Sequence, residues 1–169
     1  MDVMHILELN KKPGDRPVDL IISADTVVEA GGRILEKPDD AAHAKLMLQS
    51  LSGTLHHVHT GVVLVVPQLG PAARVPPGSQ DSLEEGWLVR SFSCSTQVEF
   101  ERLDNDTIDA YVKNGEPFGK AGAYAIQGLA GSFVRRIDGC FYSVVGFPVN
   151  EFCKQLLRLI DEGHLPLDE

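Results

Sequence analysis

Apolar residues recur along this chain at two different spacings. From Ser95 to Phe100, Thr96, Val98 and Phe100 alternate with Gln97 and Glu99, which predicts a half-buried strand. Leu20 to Ile22, with Val27 and Val28 just beyond, and Val62 to Val66 are continuous apolar runs of strand length. The first convincing strand is therefore Asp19 to Ser23, interrupted at Ser23-Ala24-Asp25-Thr26, and Arg33 to Lys37 forms a second short one after the turn signal Gly31-Gly32. Trp87 to Phe92 pairs with Val62 to Val66 across 67–86, a long flexible loop carrying four prolines and three glycines. Phe133 to Ile137 and Tyr142 to Val145 complete the predicted strands.

Helical spacing appears in three well-bounded places. Asp39 or Asp40 caps a helix to about Ser50, with Ala44, Met47, Leu48 and Leu51 inward, His43 toward solvent and Gly53 as the stop. Asp104 caps a second to about Asn114, burying Ile108, Tyr111 and Val112 and ending at Gly115. Pro148 opens a third, Val149 to Glu162, with Phe152, Leu156, Leu159 and Ile160 inward. Met1 to Leu9 has weaker helical spacing and reads as the end of something longer.

At 169 residues this is one domain with room for a substantial core. Hydrophobic residues at 43% and charged ones at 23% exclude wholesale disorder. The apolar runs are too short to span a bilayer, and the N-terminus lacks a basic region followed by an apolar core, so a cytoplasmic protein is expected. A net charge of −9 disfavours nucleic acid polymers and anionic membranes. It leaves room for a nucleotide, which a few local cations and a divalent ion can hold. Cys94, Cys140 and Cys153 show no CxxC or His pairing and are expected as free buried thiols.

Two stretches carry the candidate chemistry. Asp25 ends the first predicted strand and Lys37 the second, a pairing that suits a phosphate and its metal at one rim, although an Asp so placed more often forms a turn. Gly115 to Gly128 packs four glycines and a proline into an irregular loop that brings Glu116, Lys120 and Gln127 together, though it matches neither GxxxxGK[ST] nor GxGxxG. His57 and His59 share a strand face and His56 does not, so the three read as the polar start of a strand rather than a metal site. Thr60-Gly61 would matter through close backbone approach to a ligand.

In order along the chain stand SADTVV, ILEKP, LSG, HTGV, GEPFGKAGAYAIQG and VVGFP. This series, from Asp19 to about Leu159, resembles the Maf family of nucleoside triphosphate pyrophosphatases. The tail NEFCKQLLRLI is similar to the Maf-like domain that precedes a methyltransferase-like domain in some animal proteins. The resemblance implies an α/β fold, a twisted mixed sheet with flanking helices, and hydrolysis of dTTP- or UTP-type nucleotides to the monophosphate and pyrophosphate with a divalent cation, Mg or Mn. It implies Asp25 as metal ligand or base for the attacking water and Lys37 as a phosphate contact. Glu116, Lys120 and Gln127 would line the same cleft, Thr26 and Thr60 would shape it, and a homodimer is implied. The chain departs from the pattern in having no Ser-x-x-Arg segment before Asp25, so the family's first strand and helix are expected to be missing and the activity reduced. The alternative is a nucleotide-binding or interaction module that keeps the fold without turnover.

Overall fold

The computed structural model describes residues 18–67, 75, 81–84 and 86–165. The expectations for Met1 to Leu9, for an incomplete N-terminal strand and helix, and for most of the 67–86 loop lie outside those residues. Six strands form one sheet: β1 (Ile21–Ala30), β2 (Arg33–Leu35), β3 (Leu55–Val66), β4 (Ser82–Glu84), β5 (Trp87–Phe100) and β6 (Val134–Asp138). Their order is β2-β1-β3-β5-β4, with β6 also on β5, and every described pairing is antiparallel. Among the described residues four α-helices accompany it: α1 (Ala41–Leu51), α2 (Asn105–Asn114), α3 (Phe141–Val145) and α4 (Val149–Asp161). Among the described residues no helix is long and apolar enough to cross a membrane.

The long central strands carry the logic of the core. In β3 the even positions His56, Val58, Thr60, Val62, Leu64 and Val66 are all buried, while the odd ones are exposed or half-buried. One sheet face is therefore covered and the other faces outward. At one end of the covered face, Val28, Val58, Val98 and Phe100 pack against Leu48 and Leu51 of α1 and Ile108 and Tyr111 of α2. Phe100 is central there, meeting Tyr124 edge-on at 4.8 Å and Phe133 at 6.0 Å. At the other end Val62, Leu64, Val66 and Leu88 meet Leu159 of α4, with Phe147 and Phe152 alongside.

Local signals set the helix ends as expected. Asp40 Oδ1 accepts the His43 N–H at 2.7 Å, Asp104 Oδ1 accepts that of Thr107 at 2.7 Å, and Gly115 closes α2 at φ 88°. His43 sits half-buried and pairs with Asp39 at 3.0 Å.

Several expectations are corrected. β1 runs unbroken through Ser23 to Thr26, because Asp25 and Thr26 pair with Gly61 and Thr60 of β3, so Asp25 lies mid-strand. Trp87 to Phe100 is one strand, held in register by β3 along its length. Ser82–Glu84, expected within the loop, pairs with Trp87 to Val89. Tyr142 to Val145 is helical rather than extended: Ser143 is fully buried, and its carbonyl and hydroxyl bond Thr60 and Cys94, contacts that a five-residue apolar run does not foretell. The cysteines are free thiols, yet Cys94 and Cys140 are only half-buried and Cys153 is exposed.

Candidate active site

The β1–β2 hairpin delivers the first cation. Gly31 and Gly32, at φ 58° and 74°, make the two-residue turn that lets Arg33 pair with Ala30. The chain then leaves β2 through Glu36, Lys37 and Pro38, and Pro38 is buried before α1 begins. The Glu36 carbonyl accepts the Gly122 N–H at 3.0 Å, joining this exit to the glycine-rich loop. Gly122 is required there. It sits at φ 65°, and a Cβ would lie 2.8 Å from Val28.

Lys37 and Lys120 thereby reach one cleft of about 260 Å³, lined also by Asp25, Thr26, Tyr124 and Gln127. Gly146, after α3, closes one wall near Thr26. Alternation turns Asp25 to the side of β1 opposite Thr26 and beside Gly61, on the stretch of β1 whose second edge has no strand partner among the described residues. Its Oδ1 accepts the Thr26 N–H at 2.9 Å, and the other oxygen has no partner among them. Neither lysine makes a salt bridge among the described residues. Two ammonium groups and one carboxylate thus give this cleft a local positive balance inside a chain of net charge −9.

Hydroxyl bookkeeping fixes what Thr26 presents. Thr60 Oγ1 donates its one hydrogen to the Ser143 carbonyl at 2.7 Å. Its 2.8 Å contact with Thr26 Oγ1 must then take the Thr26 hydrogen, which leaves Thr26 with lone pairs toward the cleft. Thr26 is an acceptor there.

Thr60, Gly61 and Glu116 are expected residues that do not line the cleft. Thr60 is fully buried beneath Thr26. Gly61, expected to approach a ligand, would meet nothing within 4 Å of an added Cβ. Glu116 is turned into its own loop, where Oε1 accepts the Tyr111 hydroxyl at 2.9 Å and Oε2 the Leu129 N–H at 3.1 Å. Burial alone would raise its pKa, but those donors, the Ala130 N–H and nearby Lys120 hold the carboxyl below its ordinary range. Lys37, Lys120, Gln127, Asp25 and Thr26 are the expected residues that the fold brings together.

Sequence reasoning gave Tyr124 and Ser143 no role. Tyr124 lines the cleft with its ring while its hydroxyl reaches inward to His56 Nε2 at 2.9 Å. Burial pushes that phenol well above its ordinary pKa. Tyr124 stands inside GEPFGKAGAYAIQG, and that position is the one signal the sequence offers for it; Ser143 has none.

The donor set bears on a divalent ion. Among the described residues there is no group of three His, Cys, Asp or Glu placed to hold a metal. His57 and His59 stack at 5.9 Å on the outward sheet face, with His57 against Glu29 and Gln97. One free carboxylate beside two lysines does not make an all-protein cage. It does fit a magnesium-type ion, which takes one or two carboxylates and completes its shell with water and substrate phosphates.

Comparison with known proteins follows the same lines. The family model described as Maf-like protein matches residues 4–159. A Homo sapiens protein named probable bifunctional dTTP/UTP pyrophosphatase/methyltransferase protein is 43% identical over 144 residues, which is 85% of this chain and 21% of that protein. A dTTP/UTP pyrophosphatase of Clostridium tetani is 40% identical over 154 residues, 87% of this chain and 71% of its own length. One from Clostridium botulinum strain Okra is 37% identical over 162 residues, 93% of this chain and 75% of its own. The chain thus spans about a fifth of the human relative and about three quarters of the bacterial ones.

Proposed function

This chain belongs to the Maf family, and on that premise we propose that it is a nucleoside triphosphate pyrophosphatase that takes dTTP- or UTP-type nucleotides to the monophosphate and pyrophosphate. The observation that carries this is the convergence of Asp25, Lys37, Lys120 and Gln127, from three separate segments, on one cleft. The names of relatives at 37–43% identity supply the substrate class.

Water attacks the α-phosphorus; the new P–O bond forms as the bond to the bridging oxygen breaks, and pyrophosphate leaves with the electron pair. Charge grows on that leaving group, so fixed cations aimed at it lower the barrier. Lys37 and Lys120 are the cations in place, with no carboxylate among the described residues neutralising either through a salt bridge. Asp25 would hold a divalent ion or accept the proton of the attacking water through the oxygen that has no partner among the described residues. The ion, when bound, neutralises triphosphate charge and orients it. Thr26, an acceptor, suits a ring N–H such as the imide shared by thymine and uracil and absent from cytosine. Gln127 offers donor and acceptor in one amide, a group for base or sugar rather than phosphate.

Pyrophosphate release from dTTP and UTP with Mg²⁺ or Mn²⁺ tests the reading, alongside Asp25→Asn. The variant should lose at least about a hundredfold in kcat while its thermal transition stays put, since Asp25 is exposed. Binding heat with no pyrophosphate would replace the enzyme by a nucleotide-binding module. Neither heat nor product from any nucleotide would discard the function altogether.

A further inference from the structure

The loop from Gly115 to Gly128 is tied down at two places, and each serves a different side chain. The first is the Gly122 N–H on the Glu36 carbonyl at 3.0 Å, which sets Lys120 beside Lys37. The second is the Glu116 carboxylate. Its Oε1 accepts from the Tyr111 hydroxyl at 2.9 Å and the Ala130 N–H at 3.4 Å, and its Oε2 from the Leu129 N–H at 3.1 Å. The Tyr111 hydroxyl, its hydrogen spent on Glu116, accepts the Ala125 N–H at 3.3 Å. The fit is close, since a Cβ at Gly128 would lie 2.3 Å from Glu116 Oε1.

Gln127 sits between these attachments. Residue 125 on one side and residues 129 and 130 on the other all lead back to one carboxylate, while the exposed Gln127 amide makes no hydrogen bond among the described residues. The turn itself is closed by the Gly128 N–H on the Ala125 carbonyl at 3.0 Å, a bond made within the segment that the carboxylate holds at both ends. We propose that Glu116 is a positioning residue for Gln127, fixing where that amide meets the nucleoside, and that it touches neither phosphate nor metal. The proposal rests on the pyrophosphatase reading. Both carboxylate oxygens are engaged by donors of the protein, and Glu116 is absent from the cleft wall, so a direct contact is disfavoured on geometry alone.

Glu116→Gln keeps the volume but sets an NH₂ against either the Leu129 N–H or the Tyr111 hydroxyl, so one attachment is lost. A group that orients a binding contact should act on KM. We expect Glu116→Gln to raise KM for dTTP or UTP about tenfold with kcat changed less than about twofold, the pattern of lost uniform binding. The decisive readout is a double-mutant cycle. In a Gln127→Ala background Glu116→Gln should add almost nothing, whereas with Lys37→Ala its effect should multiply in full. A carboxylate that merely holds the fold together would multiply with both, and that result overturns the proposal. Should Glu116→Gln fail to fold, Tyr111→Phe releases the Ala125 N–H while keeping the ring on Phe133 and must show the same cycle. An inactive wild-type protein that binds no nucleotide sinks the functional reading and this proposal together; an active one with a fully additive cycle sinks this proposal alone.

Discussion

The two ends of the covered sheet face are built on the same two strands, β3 and β5, yet they do different things with buried polarity. At the α4 end Arg90 is buried opposite Leu64, and every arm of its guanidinium is spoken for: Asp81 by both oxygens at 2.9 and 2.6 Å, Glu162 at 2.5 Å, and the Gln155 carbonyl at 3.4 Å. At the cleft end, among the described residues, Thr26 keeps lone pairs outward, one Asp25 oxygen has no partner, the lysines make no salt bridge, and even buried His56 leaves Nδ1 without a partner. A polar group that has exhausted its partners can only hold the fold. One with valence left over can meet a ligand, and that valence sets the proposed site apart from the Arg90 network better than burial does.

Cutting the sealed network should give the largest stability effect. Arg90→Leu removes the buried guanidinium from its pairs with Asp81 and Glu162. Breaking such a pair from one side costs about 3–5 kcal/mol, to be read from urea unfolding at neutral pH, with turnover per folded molecule unchanged. A loss under about 1 kcal/mol, or a fall in specific activity, would erase the distinction between the two ends.

That distinction was only partly written in the sequence. Caps and helical stripes were legible because they are local: Asp40, Asp104 and the Ala44-Met47-Leu48-Leu51 face each depend on neighbours within a few residues. The joining of Asp25, Lys37, Lys120 and Gln127 was also legible, through motif order rather than periodicity. What escaped depended on distant partners. His56 reads as polar in a polar run, but Tyr124, 68 positions away, supplies the bond that lets it be buried. Ser23-Ala-Asp-Thr has turn chemistry, yet β3 holds it extended by pairing across 34 positions. Glu116 looked like an anion available to the cleft because sequence shows a charge and not the N–H groups that consume it.

His56 sharpens the comparison with a pH profile. Burial, then the neighbouring His57 charge, opposed by the Thr54 backbone, lowers its pKa from 6.5 to about 4. Below 6.5 the unfolded chain takes up a proton that the folded one refuses, so stability falls as pH drops from 6.5 toward 4. Between pH 7 and 5 the loss from this residue is about 2 kcal/mol, seen as a falling urea midpoint. His56→Phe should flatten that slope. An unchanged slope would mean the cleft end has no strained polar core.

The smallest effect asks what holds Lys37. It stands three residues before Asp40, whose carboxylate accepts the His43 N–H in the first turn of α1 at 2.7 Å. Either the helix cap steadies the lysine, or the Glu36–Gly122 bond and buried Pro38 do. Asp40→Ala removes the cap and should cost about 1 kcal/mol of stability. If the loop bond is what matters, KM and kcat for the nucleotide stay within about twofold, because Lys37 sits on the loop's side of Pro38. A drop in kcat beyond the stability loss would move α1 from the scaffold into the cation-bearing arm of the cleft, and the open end of the sheet would then extend one element further than its lining residues indicate.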